Sequence, residues 1–353
     1  MAKIEETVRQ IKDIDHTLMQ EAQERLDMLT KPQGSLGRLE ELAKLIVGIT
    51  GNLNPSLQNK VIFTLAGDHG ITEEEVSAFP KEVTQQMVYN FLRKGAGINV
   101  LANHVGARVV VADVGVDADM EPHPELVIKK VNYGTRNMAK TSAMTREEAV
   151  KSIESGIEIF EEEYKKGIDI IGTGEMGIGN TAPSSAITAV FTGRPAEEVT
   201  GRGTGITDSA LKNKIKVIKR AIALNHPDPK DAIDVLSKVG GFEIGALSGI
   251  IIKAASNRVP VVIDGFISGA AALIAYHLAP KVKGYLIASH CSVEKGHKII
   301  LEHLGISPLL NLDLRLGEGT GACLGISLVE AGVKIMTQMA TFKSAAVSER
   351  EED

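Results

Sequence analysis

Six short runs dominated by Val, Ile, Leu and Ala, each closing in a loop of polar residues and glycine, constrain what this chain can fold into. They lie at 61–70 (VIFTLAGDHG), 108–115 (RVVVADVG), 168–177 (IDIIGTGEMG), 259–266 (VPVVIDGF), 285–292 (YLIASHCS) and 309–319 (LLNLDLRLGEG). In most of them the apolar residues run continuously instead of alternating, so both faces of such strands are expected to be buried. Helical stretches separate the runs. That alternation predicts an α/β fold with a parallel sheet of about six strands and helices on both faces.

Ligands in such sheets bind beyond the carboxyl ends of the strands. All six runs put polar side chains there: Asp68 and His69, Asp113, Glu175, Asp264, Ser289 and His290, and Glu318. Six such ends predict one continuous crevice. Turn chemistry is the competing account, above all for Asp113 and Asp264.

The N-terminal segment is expected to be helical without strands. Ile11, Ile14, Leu18, Ala22, Leu26 and Leu29 fall at three- and four-residue spacing, and 38–49 forms a second helical run after KPQGSLG. The apolar stretch 265–279 is too short to span a bilayer and reads as a buried helix. The first ten residues contain no apolar core of a secretory signal, and the last ten, SAAVSEREED, read as a frayed tail. A net charge of −6 with no basic stripe argues against nucleic-acid binding. Cys291 and Cys323 are the two cysteines, with neither a disulfide framework nor zinc spacing. A reducing cytosol suits them.

Four loops are candidates for chemistry. In GTGEMGIGNTAPSS (172–185), Gly172, Gly174 and Gly177 formally spell a dinucleotide fingerprint, but the helix starts too late and no acidic strand end follows about twenty residues on. GRGTG (201–205) lacks a P-loop lysine; Gly203, Thr204 and Gly205 suit a single phosphate with Arg202 nearby, or a tight turn. In SHCSVEKGH (289–297), Ser289 to Ser292 precede a helix, where N–H groups favour an anion. A metal reading of His290, Cys291 and His297 is disfavoured because no second Cys/His pair has zinc spacing and His297 falls on the following helix, and a Cys291 nucleophile beside His290 because neighbours on a strand point to opposite faces. VSAFP (76–80) offers Phe79 and Pro80 either as one wall of a flat apolar ligand site or as a loop anchor. A further loop, RLGEGTGACLG (315–325), sets Glu318 among four glycines, where a carboxylate is the wrong charge for a phosphate.

Eight ordered blocks, KPQGSLGRLEELA, AGDHGIT with VSAFP, TGEMGIGNTAPSSA, GRGTG, GGFEIGAL, VIDGFISGAAAL, SHCSVEKGH and LDLRLGEGTGA, resemble the nicotinate-nucleotide:5,6-dimethylbenzimidazole phosphoribosyltransferase family over nearly the whole chain. The resemblance implies a Rossmann-like large domain (60–330) and a small helical domain from both termini (1–59 and 331–353). It also implies a homodimer, expected in the cytoplasm, with no membrane or nucleic-acid partner.

The implied reaction moves the phosphoribosyl group of nicotinate mononucleotide to 5,6-dimethylbenzimidazole, in assembly of the nucleotide loop of cobalamin. Nicotinate leaves as a neutral ring and no pyrophosphate departs, so neither a general acid nor a metal or other cofactor is expected. The attacking azole does lose a proton, and one carboxylate within reach of its N–H suffices. By the resemblance, Glu318 is that catalytic carboxylate and Glu175 a second one near the ribose. Gly177, Gly203, Ser292 and Gly319 bind the nucleotide. Phe79, Pro80, Gln86 and Leu316 form the azole site, with the choice between Gln85 and Gln86 open. Another lower-ligand base (adenine, another benzimidazole or a phenolic) and a non-catalytic nucleotide-binding protein are the alternatives.

Overall fold

The computed structural model describes residues 1–348. Three helices lead: α1 (Ala2–Gln10), α2 (His16–Asp27) and α3 (Arg38–Thr50). The first half of the large unit follows as β1 (Lys60–Gly67), α4 (Val83–Leu92), α5 (Gly97–Val105), β2 (Ala107–Gly115), β3 (Leu126–Ile128) and α6 (Arg146–Tyr164). Then come β4 (Ile170–Met176), α7 (Thr181–Thr192), α8 (Ala196–Val199), α9 (Asp208–Asn225), α10 (Ala232–Val239) and α11 (Phe242–Ser256). The chain closes with β5 (Val261–Ile263), α12 (Phe266–Leu278), β6 (Leu286–Ala288), α13 (Lys295–Leu304), α14 (Thr320–Gln338) and α15 (Phe342–Ala345).

The six strands pair in parallel in the order β3-β2-β1-β4-β5-β6. This is the doubly wound order, and its direction reverses between β1 and β4. All eight residues of β1 are buried. Val61, Phe63 and Leu65 feed one core with α6, α7, α11 and α12, while Ile62 and Ala66 feed the other with α5 and α14. That two-sided burial is the reason the run reads as continuously apolar.

One of the six expected strands is different. Residues 309–319 stay outside the sheet apart from an isolated bridge between His290 and Leu310. The sixth strand is instead the three-residue β3 at the edge, too short to register as a run. The N-terminal face is also split. Ile11 and Ile14 precede α2, which begins after Asp15, whose Oδ1 accepts the Leu18 N–H at 3.0 Å. Thr50 extends the second expected helix by one residue, and the buried helix over 265–279 is α12. Ser344 and Ala345 of the expected tail are helical in α15; its residues 349–353 lie outside the described residues.

The termini meet. Ala22, Leu26, Leu29, Ala43, Val47 and Met336 form one small core, and Thr30 N–H donates to Ala340 O while Phe342 N–H donates to Met28 O. Among the described residues, α14 alone is long and apolar enough to cross a membrane by length and composition; it contains Glu330 and Lys334 and packs against α3, α5 and β4.

Candidate active site

A cleft of about 420 Å³ opens where the sheet order reverses, at the carboxyl end of β4. Five segments meet in it: Glu175–Thr181, Gly203–Thr204, Gly265–Ile267, His290 with Ser292 and Glu294, and Arg315–Glu318. Phe79, Val83 and Met87 line it from the loop before α4 and from α4 itself.

Glu318 sits in a tight turn with Gly317 and Gly319, all at positive φ. Its Oε2 accepts the Ile98 N–H in the first turn of α5 at 3.0 Å, and its carbonyl oxygen accepts from Thr64 Oγ1 at 2.9 Å. The turn crosses β4 at Gly174, where a Cβ would collide with the Glu318 carbonyl. The backbone approach therefore requires glycine. Burial raises the Glu318 carboxyl above its ordinary value, and the Ile98 N–H offsets part of the rise.

Glu175 is the penultimate residue of β4 and is buried. Burial pushes its carboxyl up to about 8; the Asn180 amide, which donates to Oε2, opposes the shift, and the carboxylates of Glu243, Asp264 and Glu318 add to it. A Cβ on Gly317 would collide with Oε1, so the two loops touch at Glu175.

Several polar groups meet at or beneath the same space. The loop Gly177–Asn180 and Thr181, the first residue of the twelve-residue α7, line the cleft, and a helix start favours negative charge. Lys214, buried in α9, donates to Thr181 Oγ1 at 2.6 Å, and burial pulls its ammonium down to about 8. A Cβ on Gly203 would lie 3.2 Å from Lys214 Nζ. Gly203 N–H itself donates to Glu294 Oε1 at 2.8 Å. Ser292 N–H donates to His297 Nδ1 at 3.0 Å. Burial pulls His297 down to about 3, so the imidazole is neutral and accepts.

The cleft thus unites Glu318, Glu175, Gly177, Gly203, Ser292, Phe79 and Leu316. Pro80 lines a neighbouring cavity of about 360 Å³ with Asp68 and His69, which Phe79 separates from the main cleft. Gly319 is turned away, its N–H donating to Asp264 Oδ2 at 3.2 Å. Gln86 is exposed and does not line the cleft, although it lies on the same side of α4 as Val83. Gln85 donates to Asp119 O at 3.4 Å. Arg202 turns from the cleft to Ile206 O and Asp208.

The six strand ends do not form one crevice. Asp113 Oδ1 accepts the N–H groups of Gly115 and Val116, which is turn chemistry. Asp264 caps α14, accepting from Gly321 at 2.7 Å and Ala322 at 3.1 Å. His69 Nε2 lies 2.8 Å from Glu243 Oε1 in a buried pair. Sequence reading missed Lys214, Asn180, Val83, Met87 and Arg315. The first stands in a charged helix with no motif around it, so only packing marks it.

Fold and cleft together define a doubly wound α/β protein with its cleft at the topological switch point, where ligands bind in such sheets. The profile of the DBI_PRT phosphoribosyltransferase family matches residues 11–347, and the chain belongs to that family. It is 58% identical to the nicotinate-nucleotide–dimethylbenzimidazole phosphoribosyltransferase of Geobacter sulfurreducens over 99% of each chain. It is 57% identical to the enzyme of that name from Desulforudis audaxviator over the full length of both. The crystal structure of CobT from Thermus thermophilus, 43% identical, superposes with a TM-score of 0.91 over 95% of this chain and 100% of that one.

Proposed function

We propose that this protein transfers the phosphoribosyl group of nicotinate mononucleotide to 5,6-dimethylbenzimidazole, giving α-ribazole 5′-phosphate and nicotinate in cobalamin nucleotide-loop assembly. The observation that carries the reading is Glu318, a carboxyl whose pKa burial raises, held by Ile98 N–H in the cleft between the apolar wall and the glycine-bearing loops.

The azole lies between Phe79, Leu316 and Met87, with Pro80 on the neighbouring cavity behind Phe79. The phosphate lies at Gly177, Gly203 and Ser292 with Lys214 beneath; Gly319 acts by shaping the turn that carries Glu318. The azole lone pair attacks C1′, and the bond to the pyridinium nitrogen breaks with its electrons going to nicotinate. Glu318 takes the N–H proton of the now cationic azole, a contribution of ~10²–10⁴-fold in rate. Holding both substrates in one cleft contributes comparably or more. Glu175 faces the ribose and hydrogen-bonds a hydroxyl.

We assign residues 60–330 to the catalytic domain, and residues 1–59 and 331–353 to a small helical domain, a reading supported by the contacts between the termini. A cytoplasmic homodimer follows from the family resemblance. Incubation with nicotinate mononucleotide and a set of bases (5,6-dimethylbenzimidazole, benzimidazole, adenine, a phenol), followed by mass analysis, tests the activity. The expected products are nicotinate and α-ribazole 5′-phosphate. Equal use of several bases removes the specific acceptor, and no release of nicotinate sinks the reading.

A further inference from the structure

The loop Gly201–Gly205 touches three other parts of the cleft. Glu294 Oε1 accepts from Gly203 N, Arg315 Nη1 donates to Gly203 O at 3.4 Å, and Thr204 Oγ1 accepts the Ala78 N–H at 3.0 Å. Thr204 Oγ1 also lies 3.3 Å from Ser77 Oγ, which in turn accepts the Phe79 N–H at 3.3 Å. Two linked hydroxyls therefore hold this backbone, Thr204 on the phosphate-side loop at the Ala78 N–H and Ser77 at the Phe79 N–H. Phe79 itself is 53% exposed and lines the cleft.

We propose that Thr204 is a positioning residue that couples the two substrate sites, so that an occupied phosphate site raises the affinity for the azole. This rests on the assignment of phosphate and azole made above. A hydroxyl has one proton to donate and two lone pairs. With the phosphate site empty, the hydroxyls of Thr204 and Ser77 share one proton position. A phosphate oxygen beside Gly203 accepts a hydrogen bond from the Thr204 hydroxyl. The polarised oxygen then accepts more strongly from Ala78 N–H and from the Ser77 hydroxyl, since linked hydrogen bonds reinforce one another. The loop that carries Phe79 is thereby fixed before the azole arrives, and the azole no longer bears the cost of ordering it. Coupling is reciprocal, so the azole must tighten phosphate binding by the same factor.

The test is calorimetric titration of 5,6-dimethylbenzimidazole into the protein with and without saturating ribose 5-phosphate, which has the phosphate and ribose but no base to release. The azole Kd of the unaltered protein is expected to fall by about 5-fold or more, the lower end of ordinary allosteric coupling. Thr204→Val, which keeps the shape and removes the hydroxyl, is expected to bring that ratio to about 1. Thr204→Ser is expected to restore it. A ratio preserved in Thr204→Val, or a ratio of 1 in the unaltered protein, overturns the coupling while leaving the transfer reaction standing. Failure of ribose 5-phosphate to bind at all overturns the phosphate assignment and the coupling with it.

Discussion

Glu318 Oε2 and the backbone N–H of Ile98 are 3.0 Å apart, although 220 positions separate them in the chain. The contact ties the turn before α14 to the start of α5 and aims the carboxylate into the cleft. Glu318→Gln keeps an oxygen for Ile98 but removes the base. Turnover is expected to drop by ~10²–10⁴-fold with an unchanged melting temperature. Product formation followed by mass analysis checks the first, and calorimetry the second. Retained turnover rules out Glu318 as the base.

Gly174 is the second lever on the same turn. A methyl group there meets the Glu318 carbonyl, which is backbone and has little room to move. Gly174→Ala is expected to push the 317–319 turn off β4 and lower stability by ~1–3 kcal/mol, the usual cost of overpacking. Activity is expected to fall further than stability alone explains, because a small misplacement of a reacting group is costly. Denaturant titration beside the activity assay separates the two effects.

Lys214 makes nucleotide affinity depend on pH. Its ammonium is pulled down to about 8, so it is charged and ready for a phosphate below that pH and loses its charge above it. The KM for nicotinate mononucleotide is expected to rise as pH increases from 7 to 9. Lys214→Met is expected to raise it by ~10–100-fold at pH 7, the worth of one charge-assisted hydrogen bond, and to flatten the pH profile. A profile that keeps its shape in the variant places the titrating group elsewhere.

Glu175 and Asp264 affect stability in the opposite sense from a paired surface carboxylate. Burial raises them to about 8 and about 7 from ordinary values of 4.5 and 3.8. Groups raised on folding contribute stability that is complete below the unfolded values and lost as pH rises through the folded ones. Stability is therefore expected to decline between about pH 5 and 8 from these two groups. Glu175→Gln is expected to melt higher than the parent at pH 8 and nearly level with it at pH 5. An equal difference at both pH values removes Glu175 as the titrating group.

Much of the architecture is legible in one dimension because the forces behind it are local or repetitive. Continuous apolar runs such as 61–67 announce strands buried on both faces. Gly- and Thr-rich turns announce where those strands hand over to helices, as at Asn180–Thr181. Residues 309–319 mislead for the same reason. Alternating leucines there look like a strand, but β6 ends at Ala288 and offers them a single bridge at His290.

The sequence by itself determined the parallel α/β class, the positions of five of the six strands, and the loops carrying Glu175, Glu318, Gly203 and Ser292. Tertiary structure alone decided the edge strand β3, the burial of Lys214 beneath Gly203, and the division of labour among the carboxylates. Asp113 closes a turn, Asp264 caps α14, and Glu175 and Glu318 face the cleft. The physical reason is that periodicity reports how a segment meets the core, whereas a carboxylate's role depends on which N–H groups reach it, from two residues away for Asp113 to 220 for Glu318.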